Sequence, residues 1–293
     1  ATADATEDEP PPMTTGAEAV MATEENAVQQ PDGTPNPSFL EDIKKKYQYH
    51  PPAPRPRPTS EHCEGGSPDF VGFFNLSAVF ERSRENEDKL MYQRFFKNRR
   101  PLVNEGIVME IGAFNGIRES NSRFFEECLG WDSVLIEANP KVYKTLVKQR
   151  PNSHRLNFAP SCNETEELAN KTIEFHVSAF TNAAQADILP PHPVKGTVTV
   201  PCGRLTPVLQ QLIPNRTIHF FSLDVEGAEP LILQNLDLHQ IRIEILMIEN
   251  SNNYCQAECP SRDEFRRIMD SYGYTRDSNY IRHSDVFLHP SLS

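Results

Sequence analysis

From about residue 105 onward, short apolar runs recur between longer amphipathic stretches. Five runs, at residues 107–111, 133–136, 155–158, 218–223 and 243–248, read as buried strands, each followed by a helix or turn signal. Helices are predicted at 120–129, 141–149, 207–212, 230–235 and 262–271, several opening on a proline or just after a serine, as helix starts do. Extra strands are expected at 173–177 and 197–200. Beyond Gly273, segments 274–276 and 285–288 read as a closing hairpin. Strand and helix in alternation imply an α/β fold with a mostly parallel sheet and a C-terminal antiparallel hairpin.

The N-terminal stretch lacks this rhythm. Residues 1–40 hold eight Asp or Glu and no Lys or Arg, and residues 1–60 carry eleven of the 25 prolines. Such a segment buries too little apolar area to offset the entropy of ordering it. Residues 1–60 are therefore expected to form a disordered acidic, Pro-rich tail or stem, with residues 41–60, basic and then Pro-rich from Pro51, an extended polyproline linker, and residues 61–293 the folded domain. The net charge of −12, without a Lys/Arg-rich stripe, argues against a nucleic-acid partner. No apolar run approaches the roughly 18–20 residues of a membrane span.

Six cysteines and four Asn-x-Ser/Thr sequons, at Asn75, Asn163, Asn170 and Asn215, point to a glycoprotein of the secretory lumen (Golgi or ER) or the extracellular space, with the cytoplasm as the alternative. A chain beginning at Ala1 fits a signal or membrane anchor upstream. Disulfides are expected, with Cys255–Cys259 and Cys162–Cys202 as candidate pairs.

Candidate chemistry lies at three strand ends. Glu110-Ile111-Gly112-Ala113-Phe114-Asn115-Gly116 runs from strand into a glycine-bearing turn, where Gly112 permits a tight turn and Gly116 lets backbone approach a ligand. Two glycines four apart are not the dinucleotide fingerprint, which counts against a nicotinamide or flavin enzyme. Glu137, at the end of the next strand, suits both hydroxyls of a ribose. Asp224 and Glu226, one residue apart on an extended strand end, should face one side and could share a proton, a substrate or a cation, while Glu229 reads as a helix-capping carboxylate. Asp224 with Glu249 and Asn250 would offer oxygens to Mg²⁺, although no metal is expected. His176, His192, His219 and His283 read as structural or exposed.

In this order and spacing, Glu110-x-Gly112-x-x-x-Gly116, Glu137-x-Asn139-Pro140 and Leu223-Asp224-Val225-Glu226-Gly227-Ala228-Glu229 resemble the FkbM family of S-adenosylmethionine (SAM)-dependent methyltransferases. Val200-Pro201-Cys202-Gly203-Arg204-Leu205 and Ile248-Glu249-Asn250 are similar too, so the resemblance spans about residues 105–290. Glu119-Ser120-Asn121-Ser122 and Leu129-Gly130-Trp131 resemble the animal branch that includes the Star proteins, membrane-anchored factors known for moving cargo.

The resemblance implies a class I methyltransferase (Rossmann-like) fold. It places Glu110, Gly112, Ala113, Phe114, Asn115 and Gly116 around the methionine part of SAM, and Glu137, with Ala138 beside it, at the ribose. Residues 159–161 would lie near adenine, and Asp224 beside the transferred methyl, with Asp224 and Glu226 as candidate bases. Glu110 stands where many methyltransferases have Asp. The expected activity is O-methylation of a glycan or small metabolite. A non-catalytic Star-like trafficking protein is the alternative, and a lumenal glycosyltransferase is disfavoured by the glycine turn and Glu137.

Overall fold

The computed structural model describes residues 36–54, 63, 70–76, 82–98, 103–178, 184–185, 194–250, 259–279 and 281–292. Along the chain, α1 (Pro37–Lys46), α2 (Val71–Phe74) and α3 (Glu87–Met91), which runs into a π-helical turn at Tyr92–Phe96, come first. Then β1 (Ile107–Ile111), α4 (Arg123–Glu127), β2 (Asp132–Ile136), α5 (Pro140–Gln149), β3 (His154–Leu156) and α6 (Glu164–Leu168) alternate. They are followed by β4 (Thr172–Ser178), β5 (Ala184–Gln185), β6 (Val194–Pro201) and α7 (Leu205–Leu212). The chain continues through β7 (Ile218–Leu223), α8 (Glu229–Gln234), β8 (Ile243–Glu249), α9 (Pro260–Ser271), β9 (Thr275–Arg276) and β10 (Ser284–Leu288).

The main sheet has seven strands in the order β3-β2-β1-β7-β8-β10-β9. β3, β2, β1, β7 and β8 pair in parallel, whereas β10 pairs antiparallel with both β8 and β9. The predicted α/β architecture and closing hairpin are thus present. The extra strands do not join this sheet: β4, β5 and β6 form a separate antiparallel sheet in the order β5-β4-β6.

The apolar runs are continuous because both sheet faces are covered. Met109, Val134 and Phe221 pack on one face with α7, α8 and α9, while Val108, Phe220 and Met247 pack on the other against Phe124, Phe125 and Trp131. The chain leaves β1 toward β2 on one side and returns as β7 on the other. This reversal opens a crevice at the carboxyl ends of β1 and β7, where ligands of open α/β sheets bind.

The boundary expected at residue 60 is corrected at its core end. Asn36 caps α1 and Pro37 occupies its first turn. Ile43, Tyr47 and Tyr49 are buried in the main core, and Tyr47 stacks on Phe158 with ring centroids 4.3 Å apart. His50 bridges to Arg155, and the Ala53 N–H donates to the Pro151 carbonyl at 2.8 Å, so the expected polyproline linker begins as packed chain. Prolines and charges here sit between apolar residues at helical spacing, and that stripe outweighs the composition. Residues 1–35 and 55–62 lie outside the described residues.

Cys162–Cys202 is disulfide-bonded as expected, and Cys63–Cys128 forms a second bond. Cys259 is also disulfide-bonded, while Cys255 lies outside the described residues. Among the described residues, no helix is long and apolar enough to cross a membrane.

Two truncations test the strap formed by residues 36–54. A chain starting at residue 35 should keep the full melting temperature, and one starting at residue 61 should melt markedly earlier by circular dichroism. Tyr47→Ala alone should cost about 3–5 kcal/mol, as for other buried aromatics.

Candidate functional site

The site begins where β1 stops. Gly112 has φ +86°, and a Cβ there would lie 1.8 Å from the backbone oxygen of Asp224. Only glycine fits, and the turn of β1 therefore touches the end of β7. The Asp224 N–H donates to the Ile111 carbonyl, and the Gly112 and Ala113 N–H groups both donate to the Ile136 carbonyl. Three strand tips are joined through backbone alone.

Glu137 reinforces this junction. Its Oε2 accepts the Phe114 N–H at 2.8 Å and its Oε1 the Asn139 N–H at 2.7 Å. The side chain is 6% exposed, and burial pushes its carboxyl up to about 7 against the two N–H donors. Glu137 therefore supports the turn as well as facing the cleft. Behind it, the Asn157 side-chain amide donates to the Glu137 and Ala138 carbonyls at 2.7 and 2.8 Å. The Asn157 N–H in turn reaches the carbonyl of Tyr47, so the N-terminal strap braces the β2 tip.

A cleft of about 1030 Å³, counting its open mouth, lies over these tips. Of the predicted residues, Glu110, Gly112, Ala113, Phe114, Glu137, Ala138, Asp224 and Glu226 line it, as do Ala159, Pro160 and Ser161. Asn115 and Gly116 do not line it and have contacts of their own. Asn115 Oδ1 accepts the Ile117 and Arg118 N–H groups. A Cβ on Gly116 would meet Leu146 and Arg150 at 2.6 Å, so this glycine makes room for α5 and its end and not for a ligand. Arg150, buried and paired with Glu126 at 2.7 Å, also donates to the Gly116 carbonyl.

Glu110 lines the cleft and also braces the loop beside it. Its oxygens accept from Ser120 Oγ, the Asn121 N–H and Ser122 Oγ at 2.6–2.7 Å, so it holds the 120–122 loop beside the cleft. Asp224 and Glu226 both line the cleft, though strand alternation is not what brings them there. β7 ends at Leu223, Glu226 has φ +60°, and strand alternation no longer governs these residues. Asp224 hydrogen-bonds Glu249, because Leu223 registers with Ile248 and the next residues fall side by side.

In that pair, burial raises both carboxyls. Asp224 is pushed up to about 6 and is held down by the hydrogen bond from Glu249; Glu249, raised further by the neighbouring Asp224, is held well above the usual range. Glu249 is raised the further of the two, and the pair titrates as one coupled unit. Glu229 accepts the Val225 and Gly227 N–H groups, fixing the loop that carries Glu226.

Asn250, the third oxygen donor considered for Mg²⁺, donates instead to Asp285 Oδ1. Among the described residues, no group of three or more His, Cys, Asp or Glu side chains is arranged to hold a metal ion. Of the histidines, His219 Nδ1 accepts the Ile107 N–H, a structural contact; His192 lies outside the described residues. The pairing partner Glu249 and the brace Asn157 were not read as such from sequence, since each depends on the register of neighbouring strands.

A parallel sheet that reverses beside β1, with a glycine turn and an acidic β2 tip, is the class I methyltransferase fold. The profile of the Methyltransferase FkbM domain matches residues 110–276, more than half of the chain, and the protein belongs to that family. No curated protein matches the sequence. Among solved structures, it is similar to a TehB-like SAM-dependent methyltransferase from Corynebacterium glutamicum, at TM-score 0.40 and 10% identity over 74% of this chain and 93% of that one. It is also similar to Aeropyrum pernix fibrillarin in complex with natively bound S-adenosyl-L-methionine, at TM-score 0.34 and 11% identity over 65% and 68% of the chains. A SAM-dependent methyltransferase from Aquifex aeolicus gives TM-score 0.34 and 9% identity over 75% and 96%.

Gly112→Ala should separate the β1 and β7 tips. The variant is expected to lose cleft binding and to unfold at lower temperature, and calorimetry with differential scanning measures both.

Proposed function

We propose that the protein is a SAM-dependent methyltransferase acting on a hydroxyl of a glycan or small metabolite. The observation that carries this reading is the Asp224–Glu249 pair, two buried and hydrogen-bonded carboxyls at the ends of β7 and β8, of which Asp224 lines the cleft. The chemistry of the cleft suits SAM. Glu137 offers oxygens to a ribose diol, Phe158 and Ile232 give apolar wall for a purine, and Asp224, Glu226 and Glu119 complement a cation.

When bound, SAM supplies a methyl group on a sulfonium: the S–CH₃ bond breaks, an O–CH₃ bond forms, and the sulfur leaves as a neutral thioether. The protein's part is alignment and proton removal. Asp224, the less raised of the two carboxyls, accepts the hydroxyl proton. Glu249 keeps that carboxylate oriented by donating to it, and Glu229 and Gly112 fix the backbone on which it stands. A purely Star-like trafficking role would not call for such a pair.

We also place the protein in the secretory lumen. Support comes from the Cys63–Cys128 and Cys162–Cys202 disulfides and from the exposure of all four sequon asparagines, Asn75, Asn163, Asn170 and Asn215. Asn163 caps α6 through Oδ1, an arrangement compatible with a glycan on Nδ2.

Two measurements test these statements. With radiolabelled SAM and a hydroxyl-bearing acceptor panel, kcat/KM should rise with pH through an apparent pKa near 6, because Asp224 acts only after losing its proton. Asp224→Asn should lower kcat by about 10²–10⁴-fold and remove that limb. A profile flat across this range in the wild type contradicts Asp224 as base. Secreted from eukaryotic cells, the protein should shift in gel mobility on N-glycan removal, and Asn163→Gln and Asn215→Gln should each delete one step.

A further inference from the structure

A second chamber, of about 660 Å³ with its mouth, adjoins the cofactor cleft and shares Glu119, Asp224 and Glu226 with it. It therefore reaches the same base from the other side. Glu85, Glu87 and Glu249 add to its acidic lining, in which Arg84 is the one Lys or Arg among the described residues. Charge alone would not make this a site, but two buried polar atoms in the same lining have no partner among the described residues. Asn121 is 8% exposed; its N–H goes to Glu110 and its Nδ2 to Ser222 Oγ, while its Oδ1 accepts nothing. His283 Nδ1 is likewise buried and unpartnered. Buried polar atoms are almost always satisfied, so such a pair beside a cavity offers hydrogen-bonding positions to whatever fills it.

The lining selects among ligands. An anionic acceptor would meet a wall of like charge. A neutral polyol would satisfy the unpartnered atoms but displace water from the carboxylates without compensating them. A protonated amine with neighbouring hydroxyls does both, donating to Asn121 and balancing the acids.

We propose that this chamber is the acceptor subsite and that it takes a hydroxyl-bearing amine of the amino-sugar type. Its role as acceptor site rests on the methyl-transfer reading above; the ligand class rests on the chamber alone.

Calorimetric titration of the full chain at about pH 7 with D-glucosamine, D-glucose and D-glucuronate presents a cation, a neutral group and an anion on closely related rings. Glucosamine should bind about tenfold or more tightly than glucose, and glucuronate should not bind. Asn121→Ala should weaken both sugars, and Glu85→Gln, a half-buried lining residue, should narrow the preference for the amine. If Asn121→Ala fails to fold, Glu85→Gln carries the test. Equal or tighter binding of glucose or glucuronate overturns the proposal. So does an absence of heat for glucosamine up to about 10 mM, or Mg²⁺ binding alone and excluding it. SAM is titrated separately: glucosamine binding without SAM binding overturns the methyl-transfer reading and leaves the ligand class standing.

Discussion

The missing side chain of Gly112 is the constraint on which the site depends. Because the β1 turn carries no Cβ, the Asp224 backbone can lie against it, and the acid of β7 stands beside the turn of β1. A methyl group there would push the two tips apart by more than an ångström. Glu137 then locks the turn from the β2 side through the Phe114 N–H, so the ligand-facing surface is built from three strands that share main-chain contacts. Backbone junctions of this kind hold catalytic groups more rigidly than side-chain contacts alone, and rigid positioning is most of what an in-line displacement asks of a protein.

The electrostatics follow from the same geometry. Crowding several carboxyls at one sheet edge raises their proton affinities through burial and mutual repulsion, and the hydrogen bond between Asp224 and Glu249 resolves the conflict by dividing their roles. Glu249 is raised further than Asp224, and proton affinities pushed apart in this way are characteristic of acid–base sites. Glu110, also buried, is satisfied differently, by three donors from the 120–122 loop, and so fixes the shape of the cleft wall.

Much of this was legible in the sequence. β1 and β7 match the expected bounds at 107–111 and 218–223 because strands buried on both faces leave an unbroken apolar run. The acids at 137 and 224 were legible because they end such runs. Spacing could not reveal that Gly116 faces Leu146 and Arg150, since a glycine signals close approach without naming the neighbour. The sequence did bring Asp224 and Glu249 to neighbouring strand tips, but as oxygen donors for a cation; that they hydrogen-bond each other follows from the β7–β8 register. α1 was hidden by composition, although Asn36, Pro37 and the apolar residues Phe39, Leu40, Ile43 and Tyr47 carry its signal. α6 has its own signal in the Asn163–Glu166 capping box, which reads equally as part of a sequon.

The central claim is that Glu137 both ties the β1 turn and receives the ribose of SAM. Calorimetric titration of SAM into the wild type and Glu137→Ala tests it most directly, with thermal unfolding of each protein recorded alongside. The account predicts measurable binding to the wild type and an affinity lower by about ten- to a hundred-fold or more in the variant, from the loss of charge-assisted hydrogen bonds of about 1.5–3 kcal/mol each. Some loss of stability should accompany it, because the Phe114 and Asn139 N–H groups lose their acceptor. Equal SAM affinity in a folded Glu137→Ala, or no binding to the wild type, would contradict the account.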